Sequence, residues 1–312
     1  MIGKRPVLHV RRRGRHDPTM TITSTDAPAP GAQVWLVTGC SAGFGQALAR
    51  AALAAGHTVI ATARRPEAID VADEGGALHT MALEVTDPRA VAAAVDATVE
   101  RFGRVDVLVN NAGHGSVGAV EELTMTELRD LFEVMFFGAV ELTRAVLPHM
   151  REQGSGAVVQ MSSMGGQLAM PGFGAYCGAK FALEGLSEAL ADEVGPLGIR
   201  VLIVEPGAFR TEFGGARMHR SRVMDAYRET TAPSRDAVDR MDGTQPGDPA
   251  RAAQAVLAAL AADSPPLRLA LGADAVAAIR AKHARLRHDL ESWEGVSLGT
   301  DLEDSAVPAG GA

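Results

Sequence analysis

The sequence predicts an α/β fold: a doubly wound parallel sheet of about seven strands, in a single domain. Three observations lead there. Short apolar runs alternate with stretches of helical periodicity along most of the chain. The runs are apolar throughout rather than alternating, as befits strands covered on both faces. Glycine is abundant at 34 residues and aromatics make up only 4%, a composition that suits close contact between helices and a sheet.

The elements follow in order. Residues 1–32 carry six basic side chains before residue 20 (Lys4, Arg5, Arg11, Arg12, Arg13 and Arg15) against Asp17, a local +5 in a chain of net charge −8. This head reads as a disordered leader or a start assigned too early, with Met20 as a later candidate. A targeting peptide or a contact for an acidic surface are the alternatives. "QVWLVTG" is a first buried strand, "FGQALARAALAAG" a helix stopped at Gly56, and "HTVIATA" and "ALHTMALEV" are further strands. Asp87 and Pro88 open the next helix as N-cap and first helical residue. "VDVLVNNAG" is a strand, and "TMTELRDLFEVMFFGAVELTRAVLPHMRE" one long helix. "GAVVQMSS", "GAYCGAKFALEGLSEALADEV" and "IRVLIVEPG" give strand, helix and strand. Residues 210–245, rich in Arg, Met and Asp, show no strand pattern and are expected to form a flap. Two helices close a domain spanning 33–295, and 296–312 is expected to be a flexible tail.

Several function classes lose support. A net charge of −8 argues against a grip on nucleic-acid phosphates. No apolar run reaches the roughly 18 residues of a membrane span. Two cysteines, Cys40 and Cys177, make no disulfide framework and no C-x-x-C. Nine histidines show no H-E-x-x-H and no zinc-ligand spacing, so no metal is expected. His283 and His288, among basic neighbours, read as a solvated helix face. A cytoplasmic protein is the expectation.

"TGCSAGFG", residues 38–45, sits where the first strand gives way to the first helix. A helix N-terminus there offers free N–H groups and the positive end of its dipole to a diphosphate. Gly39 would make the turn, Gly43 would allow close approach, and Gly45 would let the helix pack on the strand. A plain strand–helix turn would use the same glycines, but the first βα turn of a doubly wound fold is where dinucleotides bind. At the end of the second strand, Ala63 stands where an acidic residue would take the ribose hydroxyls of NAD, followed by Arg64 and Arg65. A guanidinium can pair with a 2′-phosphate, so NADP(H) is favoured over NAD(H). The competing reading is that both arginines merely keep a loop soluble.

Only two tyrosines occur, and Tyr176 precedes Lys180 by one helical turn, which puts both on one face. Y-x-x-x-K arises often by chance, so the pair is informative only in company. That company is "TGCSAGFG" at 38–45, "NNAG" at 110–113, Ser163, "YCGAK" at 176–180 and "PGAFRT" at 206–211, in this order. Over about 33–270 the chain resembles the short-chain dehydrogenase/reductase family, in its single-domain branch with a Rossmann fold. "TGCSAGFG" with "ATARRP" is further similar to its hydroxysteroid- and retinol-dehydrogenase-like members.

The resemblance implies an oxidoreductase that moves hydride between NADP(H) and a carbonyl or alcohol. Tyr176 would be the general acid, its pKa lowered from near 10 by the Lys180 ammonium. Lys180 would also hold the nicotinamide ribose, and Ser163 would hydrogen-bond the substrate oxygen. Ser162 should point the other way. The cofactor would meet Gly39, Ser41, Gly43, Phe44 and Gly45 at the turn, with Ser41 a second donor to the 2′-phosphate beside Arg64. Glu84, where the family often has aspartate, and Val85 would lie near the adenine. Asn111, Ala112 and Gly113 would line the adenosine side; Pro206, Gly207 and Thr211 would lie near the nicotinamide. His114, Met170, Phe173 and Phe213 are expected in the substrate pocket, where Met164 and Met218 add to an apolar lining. Such methionines also fill ordinary cores. The helices at 124–151 and 174–195 imply a homodimer or homotetramer by analogy.

One departure stands out. The family's helix asparagine, which helps hold a relay water, is replaced by Met135, three residues before Gly138. A thioether cannot donate a hydrogen bond. Three consequences are open: the backbone carbonyl holds the water, His114 substitutes, or the chain is a catalytically weak or inactive NADP-binding sensor or scaffold.

Overall fold

The computed structural model describes residues 31–302 apart from Glu74 and Ala216. The basic head, up to residue 30, and the last ten residues lie outside the described residues. Strand β1 (Val34–Val37) leads through the glycine turn into α1 (Gly43–Ala54), followed by β2 (Thr58–Ala63) and β3 (Leu78–Ala82). Helix α2 (Pro88–Phe102) starts as its sequence requires: the Asp87 side chain accepts from the Arg89 N–H, Pro88 occupies the first turn, and Gly103 ends it at φ +72°. Then come β4 (Val107–Asn110), β5 (Gly115–Val117), α3 (Met125–Phe132), α4 (Gly138–Gln153), β6 (Gly156–Met161), α5 (Gly174–Val194) and β7 (Ile199–Pro206). The remainder comprises β8 (Met218–Arg220), α6 (Arg228–Met241), α7 (Pro249–Ala261), β9 (Arg268–Leu271) and α8 (Ala273–Leu298).

Seven strands form one sheet in the order β3-β2-β1-β4-β6-β7-β9, every pair parallel. This is the Rossmann-type doubly wound sheet the sequence predicts. Alternate residues of each strand enter opposite cores. Trp35, Val37, Val59, Ala61, Val107 and Val109 pack against α1 and α7 through Leu48, Ala52, Ala253 and Val256. Val34, Leu36, Ile60, Leu108 and Val158 pack on the other face against α2, α4 and α5 through Val95, Leu142, Val146 and Leu190. Chain order reverses between β1 and β4, so a crevice opens beyond their carboxyl ends.

Three expectations need correction. The long helix over 124–152 is interrupted: between α3 and α4, residues Glu133–Phe137 form one π-helical turn. It turns Met135 inward, 2% exposed, while Phe137 remains 47% exposed. A single 3.6-residue period cannot register such an inserted residue. The 210–245 stretch is not devoid of regular structure. It holds β8, paired in parallel with β5, and the fourteen-residue α6. Strands of three residues carry too little pattern to read, and α6 buries only Thr231 and Val238. Lastly, α8 continues as helix through 296–298, inside the expected tail.

Candidate active site

The crevice beyond β1 and β4 is a cleft of about 490 Å³, walled by the loops after β1, β4, β6 and β7 and roofed by α6. Its floor begins at the glycine turn. Gly39 and Gly43 have φ of +71° and +61°, which only glycine adopts without strain. A Cβ on Gly39 would lie 3.1 Å from the Ala112 Cα, and one on Gly45 only 2.5 Å from both Asn111 Nδ2 and the Gly39 carbonyl oxygen. Asn111 braces this turn: its Nδ2 donates to the Thr38 carbonyl at 2.8 Å, and its N–H donates to Thr38 Oγ1 at 2.9 Å. The Ala112 N–H donates to the same hydroxyl at 2.9 Å. Thr38, which sequence reasoning passed over, therefore joins β1 to the "NNAG" segment. Helix α1 starts at Ala42 with no side-chain cap and no acidic residue in its first turn, leaving its N-terminus to an anion. The cradle fits a dinucleotide's diphosphate.

Phe44 lies against Phe209, ring centroids 5.2 Å apart. Ser41 is engaged by a residue the sequence did not single out: Arg217 Nη2 donates to Ser41 Oγ at 3.0 Å and Arg217 Nε lies 3.3 Å from Glu212 Oε2. Arg64 is exposed just past β2, and its side chain makes no ion pair or hydrogen bond with any described residue. Glu84 and Val85 do not line the cleft. Glu84 accepts from the Thr86 hydroxyl at 3.0 Å, and Val85 is buried where Gly138 begins α4.

On the far wall stand Ser163, Tyr176 and Lys180. Ser163, two residues past β6, caps the following turn, accepting from the Gly165 N–H at 3.0 Å. Its neighbour Ser162 points away and hydrogen-bonds Glu184. The Tyr176 ring is buried edge-on against Phe213, centroids 5.3 Å apart. Burial pushes its phenol up to about 12, with the nearby Ser163 hydroxyl pulling in the other direction. The lowering by Lys180 that the sequence implies is not what this geometry produces. Lys180 Nζ donates to the Met161 carbonyl at 2.7 Å and lies 5.9 Å above the centre of the Tyr176 ring. Burial holds the Lys180 ammonium down at about 8, against the Glu184 carboxylate that raises it. Desolvation is the largest cause of both shifts.

Behind Lys180 lies an ionic cluster invisible to the motifs, with two of its carboxylates, Glu184 and Glu205, buried. Arg268 reaches Glu184 at 3.1 Å, Glu205 at 3.1 Å and Glu188 at 2.9 Å. Burial pushes the Glu184 carboxyl up, while Ser162 and Arg268 pull it down. Gln167 Nε2 donates to Glu205 at 2.5 Å.

Pro206, Gly207 and Thr211 line the cleft, and Thr211 Cβ is 3.3 Å from where a Gly43 side chain would begin. Ala112, Gly113, His114, Met170, Phe173 and Phe213 line it too, with Met164 and Met218. His114 Nδ1 lies 3.2 Å from the Gly115 carbonyl. Met135 also reaches the wall, its Cγ 3.5 Å from a Cβ placed on Gly113. Gln245 is a third missed residue: it lines the cleft, is buried, and its amide oxygen has no partner among the described residues. Among the described residues no set of three or more His, Cys, Asp and Glu is grouped to hold a metal, and no helix is long and apolar enough to cross a membrane.

The family profile described as short chain dehydrogenase matches residues 33–221. The oxidoreductase BOA17 of Botryotinia fuckeliana is 38% identical over 271 residues, covering 86% of this chain and 99% of its own. A short-chain dehydrogenase from Streptomyces avermitilis, solved as a crystal structure, is 54% identical, with a TM-score of 0.83 over 88% of this chain and 100% of that one. At greater distance, an alcohol dehydrogenase from Thermococcus sibiricus was solved with 5-hydroxy-NADP (26% identical, TM-score 0.62, 77% of this chain and 96% of that one). A Burkholderia phymatum enzyme that shares the fold alone was solved with NAD (22% identical, TM-score 0.68, 89% of this chain and 98% of that one). The chain belongs to the short-chain dehydrogenase/reductase family, whose members use NAD(P) to interconvert CH–OH and carbonyl groups.

Proposed function

We propose that this oxidoreductase is an NADP-dependent reductase of apolar ketones or aldehydes, with Tyr176 as proton donor, Ser163 as its partner on the substrate oxygen, and Lys180 as the supporting cation. The observation that carries this reading is the Tyr176 phenol, buried at the wall of the cleft that Ser163 and Lys180 also line, and held up at about 12. Such a phenol is fully protonated at neutral pH, the form a general acid for reduction needs. When bound, the nicotinamide supplies hydride to the carbonyl carbon. Tyr176 gives its proton to the carbonyl oxygen, and the Ser163 hydroxyl holds that oxygen as charge builds on it. Lys180, fixed by the Met161 carbonyl, steadies the phenolate left behind and holds the nicotinamide ribose.

The cofactor choice rests on Ala63 and on Arg64, whose side chain has no described partner that would hold it away from a 2′-phosphate. Ser41 and Arg217 offer a hydroxyl and a guanidinium for phosphate at the turn. Met164, Met170, Phe173, Phe213 and Met218 favour an apolar substrate. Two buried free thiols suit the reducing cytoplasm, and Phe137 and Phe181, exposed on the 133–137 turn and α5, suit association of copies there. The test is a spectrophotometric screen of ketones and aldehydes, following loss of reduced-nicotinamide absorbance with NADPH and NADH. Turnover of about 1 s⁻¹ or more, near the low end for enzymes, with NADPH preferred, is the expected result. No turnover across a broad panel would defeat the proposal and favour the sensor reading that Met135 opens.

A further inference from the structure

Helix α8 leaves the body of the protein along its own length. Its first turns are anchored: Ala275 and Ile279 are buried, and His283 Nε2 lies 2.6 Å from Gln167 Oε1. From Ala284 to Leu298 every side chain is exposed, a free rod of about 22 Å at 1.5 Å per residue. The face that anchors the helix does not end where the body ends. Ile279, His283, Leu286, Leu290 and Trp293 follow one another at spacings of four and three, the seam of a coiled coil. Leu286, Leu290 and Trp293 are 49, 68 and 64% exposed. Exposed apolar side chains scattered singly are ordinary, but three in register on one face are not.

The charges flanking this seam say what covers it. Lys282 and Asp289 lie on one flank, Arg287 and Glu294 on the other. In a parallel pair of identical helices, the first flank of one copy faces the second flank of the other, five residues on. Lys282 would meet Arg287 and Asp289 would meet Glu294, like charge against like. In an antiparallel pair that seats Leu290 on Trp293 of the second copy, each flank meets its own kind. Arg287 then faces Glu294 of the second copy, and twofold symmetry makes this ion pair twice. Asp289 meets only Val296 there. Charge at these flanking positions is what selects orientation in coiled coils.

We propose that the protruding half of α8 is a self-association element through which two copies of this chain pair antiparallel, with Leu286, Leu290 and Trp293 as the seam and Arg287–Glu294 as the orienting contact. This contact is separate from the α4 and α5 faces and does not depend on the reaction. The antiparallel overlap runs from about residue 285 to residue 298, so the two bodies remain apart at opposite ends of the joined rods.

Light scattering and sedimentation equilibrium on the full chain test this, whatever association the body supports by other faces. The Leu290→Asp/Trp293→Asp variant alters only exposed positions and is expected to halve the assembly mass. Arg287→Glu alone and Glu294→Arg alone should each weaken association about tenfold, or about 1.4 kcal/mol. Arg287→Glu combined with Glu294→Arg should restore it, since the reversed pair is again complementary. A wild-type mass that the seam variant leaves unchanged would overturn the proposal. So would single reversals without effect, or a double reversal that fails to restore. A seam occupied instead by a lipid surface would appear as a Trp293 emission shift on anionic vesicles with the mass unaffected by any variant, and would equally overturn it.

Discussion

Lys180 lies above the ring of Tyr176 with its Nζ 5.9 Å from the ring centroid, and spends its hydrogen bond on the Met161 carbonyl at 2.7 Å. The cation is thus held by the end of β6, over the face of the phenol ring. Removing the phenolic oxygen leaves this arrangement in place, because the ring packs on Phe213 and not through its hydroxyl. Tyr176→Phe is therefore expected to fold normally and to lose at least about 10² in turnover, within the usual contribution of a general acid. Steady-state kinetics beside an unchanged melting curve check this; unchanged turnover removes Tyr176 from the chemistry.

The two buried groups set opposite pH windows. Lys180 titrates at about 8 in the fold against 10.5 for the free group, so between those values the unfolded chain binds more protons and stability rises with pH. Tyr176 titrates at about 12 against 10.0, so its contribution is present below pH 10 and is lost as pH rises toward 12. For carbonyl reduction, kcat/KM should fall as pH passes about 8 and Lys180 loses its charge. A profile flat to pH 10 would take that charge out of the reaction.

Arg64 has no described partner and is exposed, so its removal leaves the fold alone. Arg64→Ala is expected to weaken NADPH binding at least about tenfold while leaving NADH nearly untouched, since only the former carries the phosphate a guanidinium grips. Fluorescence titration with both cofactors measures it. Equal losses for the two would defeat the 2′-phosphate assignment.

At Gly45 a methyl group would stand 2.5 Å from both the Asn111 amide and the Gly39 carbonyl oxygen. Gly45→Ala must therefore push the turn off the "NNAG" segment, with Asn111 losing its grip on Thr38. The expected result is a loss of cofactor affinity of about tenfold or more and a destabilisation of about 1–3 kcal/mol, as for overpacking in a core. Calorimetry with and without cofactor reads both.

Arg268 neutralises two carboxylates, Glu184 and Glu205, each 2% exposed at its side chain. Arg268→Met would leave them without their guanidinium, at a cost of about 3–5 kcal/mol. Burial already pushes Glu184 toward its neutral form, so protonation relieves the charge. The loss should be smaller at low pH than at high pH, and urea titrations at two pH values check the sign.

Six strands of the sheet (β1 to β4, β6 and β7), the helices that pack on them and the glycine turn were legible from residue type and spacing, and Tyr176 with Lys180 only in the company of the other motifs; the short β5, β8 and β9 were not. Local rules govern them: strands of a parallel sheet are apolar on both faces, positive φ calls for glycine, and one helical turn brings i and i+4 together. The tertiary structure alone decided the rest. The π turn at 133–137 buries Met135 by inserting a residue that no single period reveals. Arg217 reaches Ser41 across 176 positions of sequence, and Arg268 reaches Glu184 across 84. The sign of the Tyr176 shift was decided there too. Spacing places a cation near a phenol, but only packing says how much water each has lost, and desolvation is the larger force on both. The four-and-three spacing of Leu286, Leu290 and Trp293 is a property of the sequence, but spacing does not say that these side chains are exposed. That depends on where the body ends, which is a property of the fold.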